Sequence, residues 1–218
     1  MNRFAAIVAI AGASVVANAG VYESFELGTG ALDQGFQIEQ GGVGTAPYFM
    51  NAQGNDDSFQ EFYVMRFDLS AFSGAAVQGV TIDLTHSEAF FSTSGLVQLS
   101  YSTDDSFDLN SLVADANTVG GNAQLAASQV ALFDFVTGND GVTDTISLND
   151  VDGLFADIES GSMITLILEA AESTTSATYA GLGNTANGGP VLNVVVPTPG
   201  SLALIGLGGL ISTRRRRA

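Results

Sequence analysis

Four groups of side chains in this sequence have the types and spacing to do chemistry. The first is built on His86, the only histidine, in Leu84-Thr85-His86-Ser87-Glu88. Glu88 could orient the imidazole as a general base. The plainer alternative is a histidine hydrogen-bonded into the structure. A serine hydrolase would have to use this one ring, and no serine sits in a Gly-x-Ser-x-Gly elbow. Nucleophilic hydrolysis is therefore not expected. The second group is Arg66 with Asp68. A guanidinium can grip a carboxylate or sulfate with two parallel bonds, and the same pair can serve only to fix a strand. The third is a set of acidic loops: Asn55-Asp56-Asp57, Asp104-Asp105 with Asp108, and Asn139-Asp140 with Asp144. Each offers the hard oxygen ligands that calcium takes. None has the EF-hand spacing, and a solvated loop is the alternative for each. The fourth is the carboxylates taken together. Glycoside hydrolysis needs two carboxyl groups at a defined separation in space. Among 23 acidic residues some pair meets that distance by chance, so the count alone assigns nothing.

The elements that would position these groups read as strands. Tyr63, Met65, Phe67 and Leu69 alternate with Val64, Arg66 and Asp68. Val80, Ile82 and Leu84 alternate with Thr81, Asp83 and Thr85, which puts His86 in phase with the apolar face. Val97, Leu99 and Tyr101, then Ile164, Leu166 and Leu168, then Leu192, Val194 and Val196 repeat the pattern. Period-two alternation is the mark of a half-buried strand. Gly, Asn, Asp and Ser clusters separate the runs, as at Gly54-Asn55-Asp56-Asp57-Ser58 and Gly138-Asn139-Asp140-Gly141. Helical periodicity is confined to residues 151–158, with Asp150 as cap, and to a weaker stretch at 109–116. Residues 183–189 read as a long hairpin loop before the last strand. The expectation is an all-β, single antiparallel β-sandwich with jelly-roll or Greek-key topology.

Composition narrows the partners. Of six basic residues, Arg3 and Arg214 to Arg217 lie near the ends, which leaves Arg66 alone among 23 carboxylates. The central chain thus carries near 22 negative charges, and nucleic acid is excluded as a partner because phosphate binding needs a basic patch. Such a surface keeps chains apart in solution. Cysteine is absent, so there are no disulfides, thiolate metal sites or cysteine nucleophiles. Tryptophan is absent too, which leaves Tyr22, Tyr48, Tyr63, Tyr101 and Tyr179 as the tyrosines for a sugar-binding groove.

Both ends read as addresses. Met1-Asn2-Arg3, an apolar core over residues 4–16 and Ala17-Asn18-Ala19 form a secretory signal peptide, cut by signal peptidase after Ala19. This predicts three parts: residues 1–19 as signal peptide, 20–196 as the acidic domain, and 197–218 as a separate tail. In the tail, Pro197-Thr198-Pro199-Gly200-Ser201 leads into ten apolar residues, 202–211, and then Arg214-Arg215-Arg216-Arg217. A lasting bilayer span needs about 20 apolar residues. A run this short with a basic stop on the cytoplasmic side makes a marginal hold on the inner membrane.

The tail resembles the PEP-CTERM sorting signal of Gram-negative bacteria. The features that carry the resemblance are Pro197-x-Pro199, the small step Gly200-Ser201, the Leu/Gly-rich run and the arginine cluster. Thr198 stands where that family usually has Glu. The resemblance implies processing by an exosortase, a membrane cysteine transpeptidase, and delivery to the cell surface or the exopolysaccharide matrix. A second resemblance lies in the domain. Phe62-Tyr63-Val64-Met65-Arg66-Phe67-Asp68-Leu69-Ser70, followed by Gly74 and by Gly79-Val80-Thr81-Ile82-Asp83-Leu84, is similar to a segment of DNRLRE-type domains, β-sandwiches allied to carbohydrate-binding modules. In that frame Glu23 or Glu26 beside the last strand would hold a structural calcium. The expected function is an exported, non-enzymatic surface or matrix protein with a structural or adhesive role. A carbohydrate-binding module and a polysaccharide-cleaving enzyme are the alternatives, with extracellular polysaccharide as partner.

Overall fold

Alternating sequence becomes sheet where one face finds something to bury it. The computed structural model describes residues 21–23, 35–39, 42–44, 48–54, 60–104, 106–108 and 111–196. Among them lie β1 (Val21–Glu23), β2 (Gly35–Glu39), β3 (Gly42–Gly44), β4 (Phe49–Gln53), β5 (Glu61–Asp68), β6 (Gly79–Thr85), β7 (Gly95–Ser102), β8 (Ser128–Phe135), β9 (Thr143–Leu148), β10 (Met163–Ala170), β11 (Ser176–Ala180) and β12 (Val191–Val195). A 3-10 turn (Ser70–Phe72) and one helix, α1 (Leu154–Ser160), complete the elements. The described residues form an all-β fold, and every strand pair among them is antiparallel. The smaller sheet runs in the order β1-β12-β6-β9. The larger runs β11-β4-β5-β10-β7-β8, with β2 also on β5 and β3 on β2.

One core joins the sheets. Val80, Ile82, Leu84, Leu192 and Val194 of the smaller sheet share a buried cluster with Tyr63, Met65, Phe67, Leu99, Leu166 and Leu168 of the larger. Each such side chain contributes roughly 1.5–3 kcal/mol by leaving water. The larger sheet buries its other face as well. Phe62, Val64 and Ile167 pack beneath Leu112, Ala114 and Leu125 of the connection between β7 and β8. β5 therefore has both faces covered, where the alternation predicts a strand with one wet face. Its run Phe62-Tyr63-Val64-Met65-Arg66-Phe67 is nearly all apolar, the pattern of a strand buried on both sides. Gly120 and Gly121 let the connection close down, with φ of +80° and +82°. A Cβ on Gly120 would stand 2.7 Å from the Ala170 carbonyl oxygen.

The register of β6 defines two poles. Gly79 pairs with Val195 at one end, and Thr85 pairs with Thr143 at the other. Seven residues of strand set these ends about 20 Å apart. The start of β1, the end of β12, the 3-10 turn and α1 lie at the first, or terminal, pole. Glu159 of α1 holds that pole, accepting the Val77 N–H on Oε1 at 2.8 Å. The connections 86–94, 136–142 and 181–190 meet at the second, or loop, pole.

Three expectations need correction. The helix begins at Leu154, not at Val151, because Asp152 (φ 52°) and Gly153 (φ 82°) turn the chain left-handed just before it. Asp150 still serves the helix end, accepting the Phe155 N–H at 3.0 Å. Residues 112–116 are not helical; Leu112 and Ala114 among them cover the outer face of the sheet. Residues 183–189 do not close a hairpin, since β11 pairs with β4 in one sheet and β12 with β6 in the other.

Candidate functional site at the loop pole

His86 stands where the chain crosses between sheets. Its N–H donates to the Val142 carbonyl at 2.8 Å and its carbonyl accepts the Gly141 N–H at 2.9 Å. On its other side it bridges to Tyr179 of β11. The ring is 0 % exposed. It stacks on Phe135 at 4.7 Å between centroids and meets Tyr179 edge-on at 5.1 Å. Asp144 Oδ2 lies 2.7 Å from Nε2, so the imidazole N–H donates to this carboxylate. Nδ1 is 3.9 Å from Glu88 Oε1, beyond hydrogen-bond reach. Glu88 is occupied elsewhere, accepting the backbone N–H groups of Gly138 at 2.9 Å and Asn139 at 2.7 Å. Burial, and then the negative charge of Asp144, push the Tyr179 phenol well above its ordinary range. That hydroxyl stays protonated. The arrangement pins three connections together; it does not present a base to solvent.

From His86 the chain follows the edge of β11. Ser87 N–H donates to the Thr178 carbonyl at 3.1 Å, and Thr93 exchanges backbone bonds with Ser176. Between these anchors the chain leaves the ladder in a tight turn over residues 89–92. Ser92 N–H donates to the Ala89 carbonyl at 2.9 Å, while Ser92 Oγ accepts the Ala89 N–H at 3.0 Å. Phe90 and Phe91 take the two central positions, 102 % and 38 % exposed, with rings edge-to-face at 5.5 Å. Small polar residues usually hold these places. Tyr48, 59 % exposed, is tied to the same pole, because Asn184 Nδ2 donates to both its carbonyl and Ser87 Oγ.

Beside the turn lies a cleft of about 290 Å³ lined by Gln53, Gly54, Thr93 and residues 173–176. Among the described residues the lining holds five hydroxyls, one amide and no charged side chain. The buried hydroxyls of Thr175 and Ser176 find no hydrogen-bond partner among the described residues. Thr175 packs so closely over Gly95 that a Cβ there would stand 2.0 Å from its Oγ1.

The candidate ligand residues fall in separate places. Asp140 and Asp144 are both at the loop pole, where Asp140 Oδ1 accepts the Glu88 N–H at 3.0 Å and Asp144 holds His86. Asp104 follows the far end of β7. Its Oδ1 accepts Ser106 Oγ–H at 2.6 Å and the Ser106 N–H at 2.9 Å, and these bonds hold its carboxyl below the usual range. Arg66 is nearby and buried, with Nε donating to Thr165 Oγ1 at 3.3 Å and its guanidinium 4.4 Å over Phe107. Asp68, its expected partner, accepts the Ser70 N–H at 2.9 Å. Glu23 ends β1, its backbone opposite Val191 of the last strand. Glu26, Asp56, Asp57 and Asp105 lie outside the described residues, as do Ala17, Ala19, Pro197, Thr198, Pro199, Gly200 and Arg214 to Arg217. Among the described residues no three His, Asp or Glu side chains group as metal ligands. The tyrosine groove is corrected: Tyr63, Tyr101 and Tyr179 are core residues. Among the described residues the exposed aromatics are instead Tyr48, Phe49, Phe90 and Phe91. A visible signal for this was Phe90-Phe91 set among Ser87, Ser92, Thr93 and Ser94.

Comparison with known families finds no family model that matches the chain, and comparison with curated proteins finds no match.

Proposed function

We propose that this chain is an exported, non-enzymatic protein of the cell surface or exopolysaccharide matrix of a Gram-negative bacterium, with a structural or adhesive role. Its central domain, residues 20–196, is a single antiparallel β-sandwich of jelly-roll or Greek-key topology, held between a signal peptide over residues 1–19 and a PEP-CTERM-like sorting signal over 197–218. The observation that carries the reading is the partition of charge and polarity at the end of β12. All 23 carboxylates precede Pro197, and the Pro-x-Pro step, the apolar run and four arginines follow it. Signal peptidase removes the leader after Ala19. The short apolar run then detains the chain at the inner membrane until an exosortase-type enzyme processes it near Pro197-Thr198-Pro199.

A non-enzymatic role fits the side chains. The sole histidine is buried between rings with its Nε2 bound to Asp144. Among the described residues that line the cleft there is no carboxylate, whereas polysaccharide cleavage would set two across it. Deleting residues 197–218 tests the sorting. The deleted form is expected to leave the surface fraction and appear free in the periplasm or medium. If both forms reach the same fractions, and the full-length form retains its tail, the sorting reading fails.

A further inference from the structure

We propose that the outer edge of β8 pairs with the same strand of a second copy of this chain, antiparallel and about a two-fold axis, so that two larger sheets run on as one. The inference does not depend on the tail or on how it is processed.

Three observations carry it. The first is the direction of the backbone. The Ala171 N–H donates to the Leu96 carbonyl at 2.9 Å, so Leu96 and Gln98 of β7 turn their backbone groups toward β10. Gly95, Val97 and Leu99 therefore bond to β8, where they stand opposite Phe135, Phe133 and Ala131. Leu132 and Asp134 alternate with those positions and point their N–H and C=O groups away from the sheet. Among the described residues no strand pairs with them there. The Val130 carbonyl accepts the Asn149 N–H at 2.9 Å and Nδ2 at 3.0 Å, so the chain leaving β9 closes this edge at its start. The far edge of the same sheet is handled differently, because β11 is covered by the backbone of Ser87 and Thr93.

The second observation is what the edge is made of. β8 reads Ser128-Gln129-Val130-Ala131-Leu132-Phe133-Asp134-Phe135, with no Pro, Gly or Lys. Sheets usually blunt their edges with Lys, Pro, bulges or very short strands. The bulge in β8 lies near its start, opposite Leu99 and Ser100, which leaves the stretch from Ala131 onward regular. Leu132 is 51 % exposed, and Val136 just beyond the strand is 50 % exposed. A long apolar edge of this kind is a template for another strand. The third observation is self-complementarity. An inverted copy of β8 brings Leu132 opposite Asp134 of the second copy and Asp134 opposite its Leu132, which closes four backbone hydrogen bonds. Across the domain 23 carboxylates face the single buried cation Arg66, so two copies repel one another in most orientations. Along β8 the only charge is Asp134, and the two-fold sets it against a leucine rather than its twin.

The test is sedimentation velocity of the full chain over a range of concentrations, in about 0.5 M sodium chloride to screen its net charge. One pair of strands makes a small interface, of the class under about 1,200 Å² that associates transiently. A reversible dimer is therefore expected within roughly 10–500 μM protein. Leu132→Glu sets like charges opposite one another twice in each dimer and should weaken it by roughly tenfold. Leu132→Lys faces Asp134 of the second copy with the opposite charge and should strengthen the dimer by a smaller factor. Both variants alter a side chain already half in water, and an unchanged melting temperature verifies that they remain folded. Association that both variants weaken alike, or that neither moves, would overturn the proposal; the second result would assign it to the apolar run 202–211. A chain that stays monomeric throughout, Leu132→Lys included, would leave this edge to a strand of another protein and overturn it as well.

Discussion

The two poles of the molecule, about 20 Å apart along β6, handle apolar side chains in opposite ways. At the terminal pole Leu154 and Ile158 of α1 are fully buried and join the central core. Glu159 closes the gap to the start of β6 by accepting the Val77 N–H. At the loop pole the connections are fastened chiefly by polar bonds, with His86 as the one buried ring among them. Beside the buried rings of His86, Phe135 and Tyr179, four aromatics there are left in solvent: Phe90, Phe91, Tyr48 and Phe49. One pole buries the apolar face of its helix, and the other holds a pair of phenylalanines in solvent above its buried rings.

The contrast should break first at Ile158 and His86. Ile158→Ala removes a fully buried side chain at the terminal pole and should cost about 2–5 kcal/mol, read from the urea midpoint. His86→Ala should cost about 3 kcal/mol, since it opens a cavity against Phe135 and Tyr179 and strands Asp144 without its donor. A domain of this size loses about 2–4 °C of melting temperature per kcal/mol. His86→Ala should therefore be plainly visible in a thermal scan, and a change under about 1 °C would contradict the pinning role.

A smaller effect belongs to neither pole's loops but to the sheet between them. Glu169 on β10 is buried beneath the connection that carries Gly120, and burial raises its pKa despite donated bonds from Gln98 at 2.8 Å and Asn122 at 3.0 Å. The folded protein thus keeps this proton to higher pH than the unfolded chain does. Its contribution to stability is greatest below the unfolded carboxyl range and is lost as pH rises through the folded one, with a slope of at most about 1.4 kcal/mol per pH unit. Glu169→Gln should flatten that part of the pH–stability curve, measured by denaturant titration at several pH values. The smallest effect is expected at Phe90. Phe90→Ala should alter stability by less than about 0.5 kcal/mol, because the ring is already in water. A large loss would mean that the turn is a structural plug and the contrast between poles is false.

Much of the sheet was legible from period two. The alternations at β5, β6, β7, β10 and β12 each became strands, and the phase that turned His86 inward is matched by its burial. β11 was not legible, because Ser176-Ala177-Thr178-Tyr179-Ala180 is mostly small residues and is buried throughout between β4 and the chain leaving His86. No apolar alternation marks a strand covered on every side. Tyrosine type likewise does not say which rings face water, and three proposed for a groove went to the core. The loop-pole site was illegible for a different reason. Its parts come from residues near 53, 93 and 175, which only the pairing of β11 with β4 and Thr93 brings together.

The central claim is that the folded domain and the tail after β12 do separate work. Intact-mass measurement of the protein recovered from the cell surface tests this most directly. The predicted species begins at Gly20 and has lost the apolar run and all four terminal arginines. Recovery of a surface species that still carries residues 202–218 would contradict it.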